Sequence, residues 1–475
     1  MTQDPLVIPF DNSYNQLPAQ FYTRLEPEPV PAPSLIAFNR QLASDIGITG
    51  GRNAELEAVF SGNTMPKGAL PIAQVYSGHQ FGQYNPYLGD GRALLLGETL
   101  GQDQKRRDIQ LKGSGRTPYS RGGDGRAWLG PVLREYLVCE AMHHMGIATT
   151  RALAAVATGA PVLRETALPG AVLTRVADSH IRVGTFQFFA AQRDIDGLKT
   201  LLDYTIARHY PQADGALGLL KAVIEAQAKL IAQWMGVGFI HGVMNTDNCQ
   251  IAGQTIDYGP CAFLDRYHPM RVYSSIDYAG RYAYGNQPNI IVWNMAQLAT
   301  ALMPLMPDTD AGISTFTAAV HAMPNQIDQH QRAVFAAKIG ISAPKAGDNA
   351  LIGDLLALMA DGQADFTNSF RALGTVVARD QFLEPDKFNH WQERWQRRLD
   401  QEPDAESVMA RSNPSIIPRN HRIEEMISAA TNGDYAPFHR LLSAIKAPYS
   451  DAPEFADLRR PPSAEEEIEA TFCGT

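Results

Sequence analysis

The stretch HGVMNTDNCQIAGQTIDYG, residues 241–259, spaces its polar side chains in a way that indicates a nucleotide site. Asn248 ends a loop that opens with His241, and Asp257 follows a short hairpin that turns at Ala-Gly-Gln. Magnesium bridging nucleotide phosphates favours a few hard oxygen ligands, which one Asn and one Asp supply. Asp-Tyr-Gly alone is more often a plain turn, but His241 and the spacing favour Asn248 and Asp257 as metal ligands.

The order of these residues is that of a protein-kinase catalytic loop with one exception. Kinases open this loop with His-Arg-Asp, keep an Asn at a fixed distance and place Asp-Phe-Gly after a hairpin. Val243 stands where the catalytic aspartate is expected, and Asp247 follows four residues later. A carboxylate at Asp247 suits two roles equally, accepting a proton from a hydroxyl or bracing the loop. The chain is therefore either an inactive kinase or uses kinase parts for a different transfer.

The bulk composition indicates a globular protein of two or three packed units. The chain has 475 residues, of which 45% are apolar and 19% charged, and a net charge of −9. The acidic balance argues against non-specific nucleic-acid binding. The four cysteines show no CxxC spacing, so neither a zinc site nor a secreted disulfide scaffold is expected.

The N-terminal residues and the most apolar segment predict a cytoplasmic protein without a membrane span. The first 18 residues lack the basic and apolar regions of a signal peptide. The most apolar window, NIIVWNMAQLATALMPLM, contains Asn294, Gln297 and Pro304, and it predicts a buried helix. We expect no membrane partner, no nucleic-acid partner and a monomer.

Hydrophobic periodicity predicts a small sheet with one helix, followed by a helical part. DIQLKGSG alternates as a half-buried strand does, PVLREYLVCEAMHHMGI is a helix opened by proline, and AVLTRVADSHIRVGTF is strand-like. GALGLLKAVIEAQAKLIAQWMGVGFIHG is a long helix that leads to His241, and the chain beyond residue 340 is helical. This order predicts an α+β, bilobal kinase-like fold with a small mixed or antiparallel sheet in the first lobe.

The predicted strand carries Lys112, which matches the kinase lysine that holds phosphates. A helix glutamate should orient this lysine, and both Glu135 and Glu140 are candidates. Periodicity does not decide between them.

Two glycine turns, GDGR at 89–92 and GGDG at 122–125, suit a phosphate site, although each contains an acid. Asp90 and Asp124 would repel a triphosphate lying directly beneath them. A basic group stands out in this acidic chain, and arginine binds phosphate bidentately. Its members are Lys112, Arg116, Arg121, Arg126, Arg175 and Arg182. We expect the phosphates to lie toward these cations.

Several segments together resemble the selenoprotein O family, known in bacteria as YdiU. They are YSGHQFGQYNPYLGDGRA, QLKGSGRTPYSRGGDGRAWLGPVLREYL, RVADSHIRVGTFQ, HGVMNTDNCQIAGQTIDYGPCAFLD and the ending TFCGT. The resemblance covers nearly the whole chain. It implies a kinase-like fold that binds ATP in a flipped orientation and transfers AMP to hydroxyls of other proteins.

The resemblance also implies roles for single residues. Lys112 and Glu135 match the lysine and helix glutamate pair, Asp247 the proton acceptor, and Asn248 and Asp257 the ligands of magnesium or manganese. The remaining nucleotide contacts implied are Gly89, Gly91, Arg92, Asp124, Gly125, Arg175 and Arg182. Selenium chemistry is not implied, because only Cys473 stands near the end.

The predicted activity is transfer of AMP from ATP to Ser, Thr or Tyr hydroxyls of proteins, with release of pyrophosphate. An ATP-dependent phosphotransferase and a catalytically silent nucleotide-binding scaffold are the alternatives. The resemblance further suggests redox control through Cys473, whose tail we expect to be mobile, with Cys261 as its disulfide partner.

The predicted organisation has four parts. Residues 1–70 form an extension that wraps the lobes, 71–185 the first lobe, 186–340 the second lobe with the catalytic loop, and 341–475 a helical extension with a redox tail.

Overall fold

The computed structural model describes residues 4–472, which fold into an antiparallel sheet packed against many helices. The strands are β1 Tyr22–Arg24, β2 Ser34–Phe38, β3 Ile72–Gln74, β4 Gly78–Gln80, β5 Gln83–Asn85, β6 Ala93–Leu100, β7 Arg106–Lys112, β8 Ala127–Trp128, β9 Arg151–Leu163, β10 Ala167–Ala177, β11 Phe239–Ile240 and β12 Ala262–Phe263. The helices are α1 Arg40–Asp45, α2 Asn53–Phe60, α3 Leu129–His144, α4 Val183–Gln192, α5 Ile195–His209, α6 Gly215–Val237, α7 Gln287–Leu302, α8 Thr309–Lys338, α9 Asp348–Asp361, α10 Phe366–Ala372, α11 Pro385–Leu399, α12 Ala405–Ser412, α13 Asn420–Thr431 and α14 Ala436–Ala444. The predicted α+β class with an antiparallel sheet is confirmed.

The main sheet has the strand order β1-β3-β6-β7-β10-β9-β2, with β8 added beside β10. Both edge strands, β1 and β2, come from the segment before residue 71, which the sequence predicts only as a wrapping extension. The proline-rich stretch 26–33 connects these two edges. This segment is therefore part of the sheet.

Alternation along β7 decides which of its side chains face α3 and which face α1 and α2. Ile109 and Leu111 pack with α1 and α2 on one face of the sheet. Gln110 and Lys112 point to the opposite face, where Lys112 contacts α3. The predicted strand is confirmed, but the prediction that it is half-buried is wrong, because Gln110 on the polar face is as buried as Ile109 and Leu111.

Helix α6 delivers the chain to the loop 241–259. It ends at Val237 because Gly238 adopts a left-handed conformation with φ +70°, and a Cβ there would lie 2.8 Å from the Phe366 ring. Strand β11 follows at once and pairs with β12, so the loop is held at both of its ends. Within the loop, Thr246–Asn248 forms one 3-10 turn.

Two element predictions need correction. The strand predicted over AVLTRVADSHIRVGTF ends at Ala177, and its last residues begin α4 at Val183. The tail predicted to be mobile is held as far as Thr471, which is buried and forms a parallel bridge with Ser274. Cys473 lies outside the described residues.

The most apolar sequence window forms the buried helix α7, as predicted. Among residues 4–472, no helix combines the length and apolar character needed to cross a membrane.

Candidate active site

A cleft of about 320 Å³ opens between the sheet, α3 and the loop 241–259. Most of the residues that the sequence singled out meet in its lining. They are Gly89, Gly91, Arg92, Lys112, Glu135, Arg175, Arg182, Asp247, Asn248 and Asp257. Residues from distant parts of the chain are thus brought to one surface.

A cluster of charged side chains forms the floor of the cleft. Lys112 Nζ lies 2.7 Å from both Glu135 Oε2 and Asp257 Oδ1. Arg175, which β10 carries beside β7, contacts the same two acids, with its Nη2 2.6 Å from Asp257 Oδ1. Glu140, the other candidate partner, pairs with Arg151 instead. The geometry thus selects Glu135 as the partner of Lys112.

The cations of this cluster keep both acids ionised. Burial raises the pKa of the Asp257 carboxyl, but Arg175, Lys112 and Arg182 outweigh it and hold that pKa well below its usual range. Glu135 behaves in the same way, since Arg175 and Lys112 lower its pKa against the effect of burial. The backbone at Asp257 has φ +59°, which is unusual for a residue other than glycine. Tertiary contacts therefore fix this carboxylate in place.

Asp247 differs from Asp257 in its electrostatics. Burial raises the pKa of the Asp247 carboxyl to about 6, and the nearby Asp257 charge adds to the shift. Its Oδ2 accepts one hydrogen bond from Gln80 at 3.2 Å, whereas the buried Oδ1 has no partner among the described residues. A carboxylate whose pKa is raised toward neutral pH, and whose Oδ2 makes only one hydrogen bond, is suited to take up a proton.

Buried contacts of His241 hold the loop that carries these acids. The ring stacks on Trp234 of α6, with centroids 5.4 Å apart, and its Nε2 donates to the carbonyl oxygen of Ile256, 2.8 Å away. Its Nδ1 accepts from the backbone N–H of Val243. Burial lowers the pKa of His241, in keeping with this neutral tautomer. His241 is therefore structural.

Asn248 and Asp257 fit the divalent metal that the family implies. Asn248 Nδ2 donates to the Val243 carbonyl at 3.0 Å, and its Oδ1 accepts no hydrogen bond from the described residues. Asp257 Oδ2 has its nearest cation, Arg182 Nη2, at 3.9 Å. Two hard oxygens remain available, as magnesium requires when water and phosphates complete its shell. No group of three His, Cys, Asp or Glu side chains in residues 4–472 forms a separate metal site.

Arg182 is held by two residues that sequence reasoning did not assign. Its guanidinium lies 4.2 Å from the centroid of the Tyr76 ring, and its Nη1 lies 3.4 Å from Asp90 Oδ1. Asp90 is buried and also accepts from the backbone of Gln74. Asp90 thus pairs with a cation of the cleft, and its effect on a bound triphosphate stays a prediction.

The role of the second glycine turn as a nucleotide contact stays a prediction. Asp124 pairs with Arg164 at 2.8 Å, and neither Asp124 nor Gly125 is among the lining residues. Arg126 pairs with Glu28 of the proline-rich stretch, and Arg116 is exposed outside the lining. Arg121 does reach the cleft. Four of the six cations in the basic group therefore line the cleft, whereas Arg126 pairs with Glu28 and Arg116 lies outside the lining.

Comparison with known proteins assigns the chain to one family. A family model described as protein adenylyltransferase SelO matches residues 5–446. A protein nucleotidyltransferase YdiU from Ruegeria pomeroyi is 64% identical over 470 residues, which cover 99% of this chain and 100% of the relative. Proteins of the same name from a further Ruegeria strain and from Roseobacter denitrificans are 63% and 61% identical over the same shares.

The similarity is high and spans almost the whole length of this chain and of each relative. The chain therefore belongs to the protein adenylyltransferase SelO family, as the sequence motifs predict.

Proposed function

We propose that this enzyme transfers AMP from ATP to Ser, Thr or Tyr hydroxyls of protein substrates and releases pyrophosphate. The observation that carries the proposal is the arrangement around Asp257. Lys112 and Arg175 meet at its Oδ1, Arg182 lies near its Oδ2, and Asp247 belongs to the same cleft. The cations suit the charge of a triphosphate, and Asp247 suits an incoming hydroxyl. The names of the family and of its relatives support this activity.

The transfer step follows from these roles. The acceptor hydroxyl oxygen bonds to the α-phosphorus of ATP, while the bond from that phosphorus to the oxygen bridging to the β-phosphate breaks. The hydroxyl proton passes to a carboxylate oxygen of Asp247, and pyrophosphate leaves with the bridging oxygen. Lys112, Arg175 and Arg182 balance the charge that develops on the leaving pyrophosphate. Asn248 and Asp257 would hold magnesium or manganese, which would supply further charge stabilisation.

We also propose that the architecture is a kinase-like pair of lobes. Residues 71–185, with the sheet, Lys112 and α3, would be the first lobe, and 186–340, with α6 and the loop 241–259, the second. Residues 1–70 and 341–475 would be extensions of this core. Support comes from the order of these elements and from the Lys112–Glu135 pair.

Labelled ATP tests the activity directly. Purified protein is incubated with casein, an unfolded protein rich in hydroxyl side chains, and with ATP labelled on either the α- or the γ-phosphate. We expect acid-stable label on casein or on the enzyme from α-labelled ATP alone. Transfer of γ-label alone would indicate a phosphotransferase instead, and absence of both labels a scaffold.

Substitutions of the two acids separate their roles. Asp257→Ala should abolish transfer and weaken ATP binding in the presence of magnesium, because it removes a metal ligand. Asp247→Ala should lower the rate by at least about 100-fold with little change in ATP affinity, since a general base contributes on this scale. Calorimetry provides the affinities. Equal loss of ATP binding in both variants would contradict the role of Asp247.

A further inference from the structure

The hairpin formed by β4 and β5 covers the loop that carries Asp247. The backbone N–H of His79 donates to Thr246 Oγ1 at 2.7 Å, and that of Phe81 donates to Asn245 Oδ1 at 3.1 Å. Gly78 packs so closely that a Cβ there would lie 2.9 Å from Asp247 Oδ1. Three consecutive residues of the loop, 245–247, thus contact this one hairpin.

Within this contact, Gln80 restrains the proposed proton acceptor. Its Nε2 lies 3.2 Å from Asp247 Oδ2, and the side chain is part of the cleft lining. The other carboxylate oxygen is buried against Gly78, so Gln80 holds the oxygen that remains for the hydroxyl. A catalytic group held in one orientation avoids the entropic cost of finding it during reaction.

Phe81, at the tip of the hairpin, has a strained backbone. Its φ is +51°, a conformation that residues other than glycine rarely adopt, and Gly82 continues the turn with φ +84°. Its ring contacts Tyr282 edge-on at 5.1 Å and also lines the cleft. Strain of this kind persists where surrounding contacts impose it, and it is concentrated at functional sites.

We propose that Gln80 and Phe81 of the hairpin 78–85 form the acceptor subsite, resting on the function proposed above. Gln80 is a positioning residue that fixes the Asp247 carboxylate. Phe81 offers an apolar wall to the side chain that bears the acceptor hydroxyl. Lys112 and Arg175 lie on strands β7 and β10 of the main sheet, so we place the triphosphate beside these strands and the protein substrate beside the hairpin.

Four variants of the hairpin, two of them at Phe81, test this subsite with α-labelled ATP and casein. Gln80→Met removes the amide donor but keeps the length of the side chain, and Gln83→Met makes the same change on the exposed side of the hairpin. We expect Gln80→Met to lower the labelling rate at saturating ATP about tenfold. ATP affinity and thermal midpoint should stay unchanged, and Gln83→Met should behave like the unsubstituted protein.

Phe81→Ala should raise the casein concentration for half-maximal labelling about fivefold, because an aromatic contact is lost. ATP affinity should again stay unchanged. Phe81→Leu should keep most of the affinity for casein, because leucine also offers an apolar surface. Equal labelling rates for the Gln80 and Gln83 variants would overturn this inference but not the proposed function. The same holds if the labelling rate falls only as far as ATP affinity or the thermal midpoint falls. Absence of α-label transfer by the unsubstituted protein would overturn the proposed function as well.

Discussion

The guanidinium of Arg182 lies 3.4 Å from the carboxylate of Asp90, and both side chains are almost completely buried. Removing one partner of a buried ion pair leaves the other charge uncompensated, which typically costs about 3–5 kcal/mol. We expect Asp90→Asn to lower the free energy of unfolding by less than this, because Asp257 and the Tyr76 ring remain beside Arg182 and burial raises the pKa of Asp90. The loss in the double variant Asp90→Asn, Arg182→Met should be smaller than the sum of the two single losses by at least about 1 kcal/mol. Urea unfolding measures all three, and strict additivity would contradict the pairing.

Glu135 and Glu140 provide a matched pair on helix α3. Each is buried beside an arginine, but Glu135 pairs with Lys112 in the cleft, whereas Glu140 pairs with Arg151 outside it. Glu135→Gln should weaken ATP binding about tenfold, because Lys112 loses the carboxylate that orients it. Glu140→Gln should lower the thermal midpoint while leaving ATP affinity unchanged. Calorimetry measures the ATP affinity of both variants, and thermal unfolding measures their midpoints. Equal ATP affinities would contradict the role of Glu135.

Lys338, at the end of α8, makes stability depend on pH. It is 2% exposed, its Nζ lies 4.2 Å from the centroid of the Phe370 ring, and burial lowers its pKa to about 7. The unfolded lysine keeps its proton up to about pH 10.4, so the unfolded state binds more protons between about pH 7 and that value. The free energy of unfolding should therefore rise by about 2 kcal/mol from this group between pH 7 and pH 9.

Lys338→Met should remove this rise and stabilise the protein most at pH 7 or below. Lys345→Met, at an exposed position close by in sequence, is the control and should keep the dependence. Urea unfolding at several pH values gives the result. A stability gain of Lys338→Met that does not change with pH would contradict a charge effect.

Oxidation should join Cys261 to Cys473 and lower the transfer activity. The described end of the tail supports this expectation, because Thr471 Oγ1 donates to the carbonyl oxygen of Pro260 at 2.5 Å, next to Cys261. Non-reducing peptide mapping after treatment with diamide, which accepts the two electrons, should detect the linked peptide. Cys473→Ala should abolish the loss of activity and Cys249→Ala should keep it. Absence of the linked peptide would remove the hypothesis.

The cleft was predictable where its residues follow local patterns. Lys112 alternates along a strand, and Asn248 and Asp257 stand at fixed spacings from His241. Glu135 was not separable from Glu140 by periodicity, because nearly every residue of α3 is buried and the helix lacks a polar face.

Long-range pairing explains most of the remaining misses. Asp90 and Arg182 are 92 positions apart, and no local pattern reveals that they meet. The hairpin 78–85 consists of two three-residue strands, which are too short for alternation to be read. Strands β1 and β2 were missed for a similar reason, because prolines surround them and their partners lie far along the chain.

The placement of β1 and β2 at opposite edges of the sheet also imposes an order on biosynthesis. These strands are the first to leave the ribosome, yet β1 pairs with β3 and β2 with β9, which ends at Leu163. The nascent chain must therefore keep β2 unpaired until residues 151–163 have emerged, whereas β1 waits only for residues 72–74. Contacts this distant in sequence form slowly, and unpaired strands attract other chains. Expression yield should thus be more sensitive to changes in residues 22–38 than the modest size of these strands suggests.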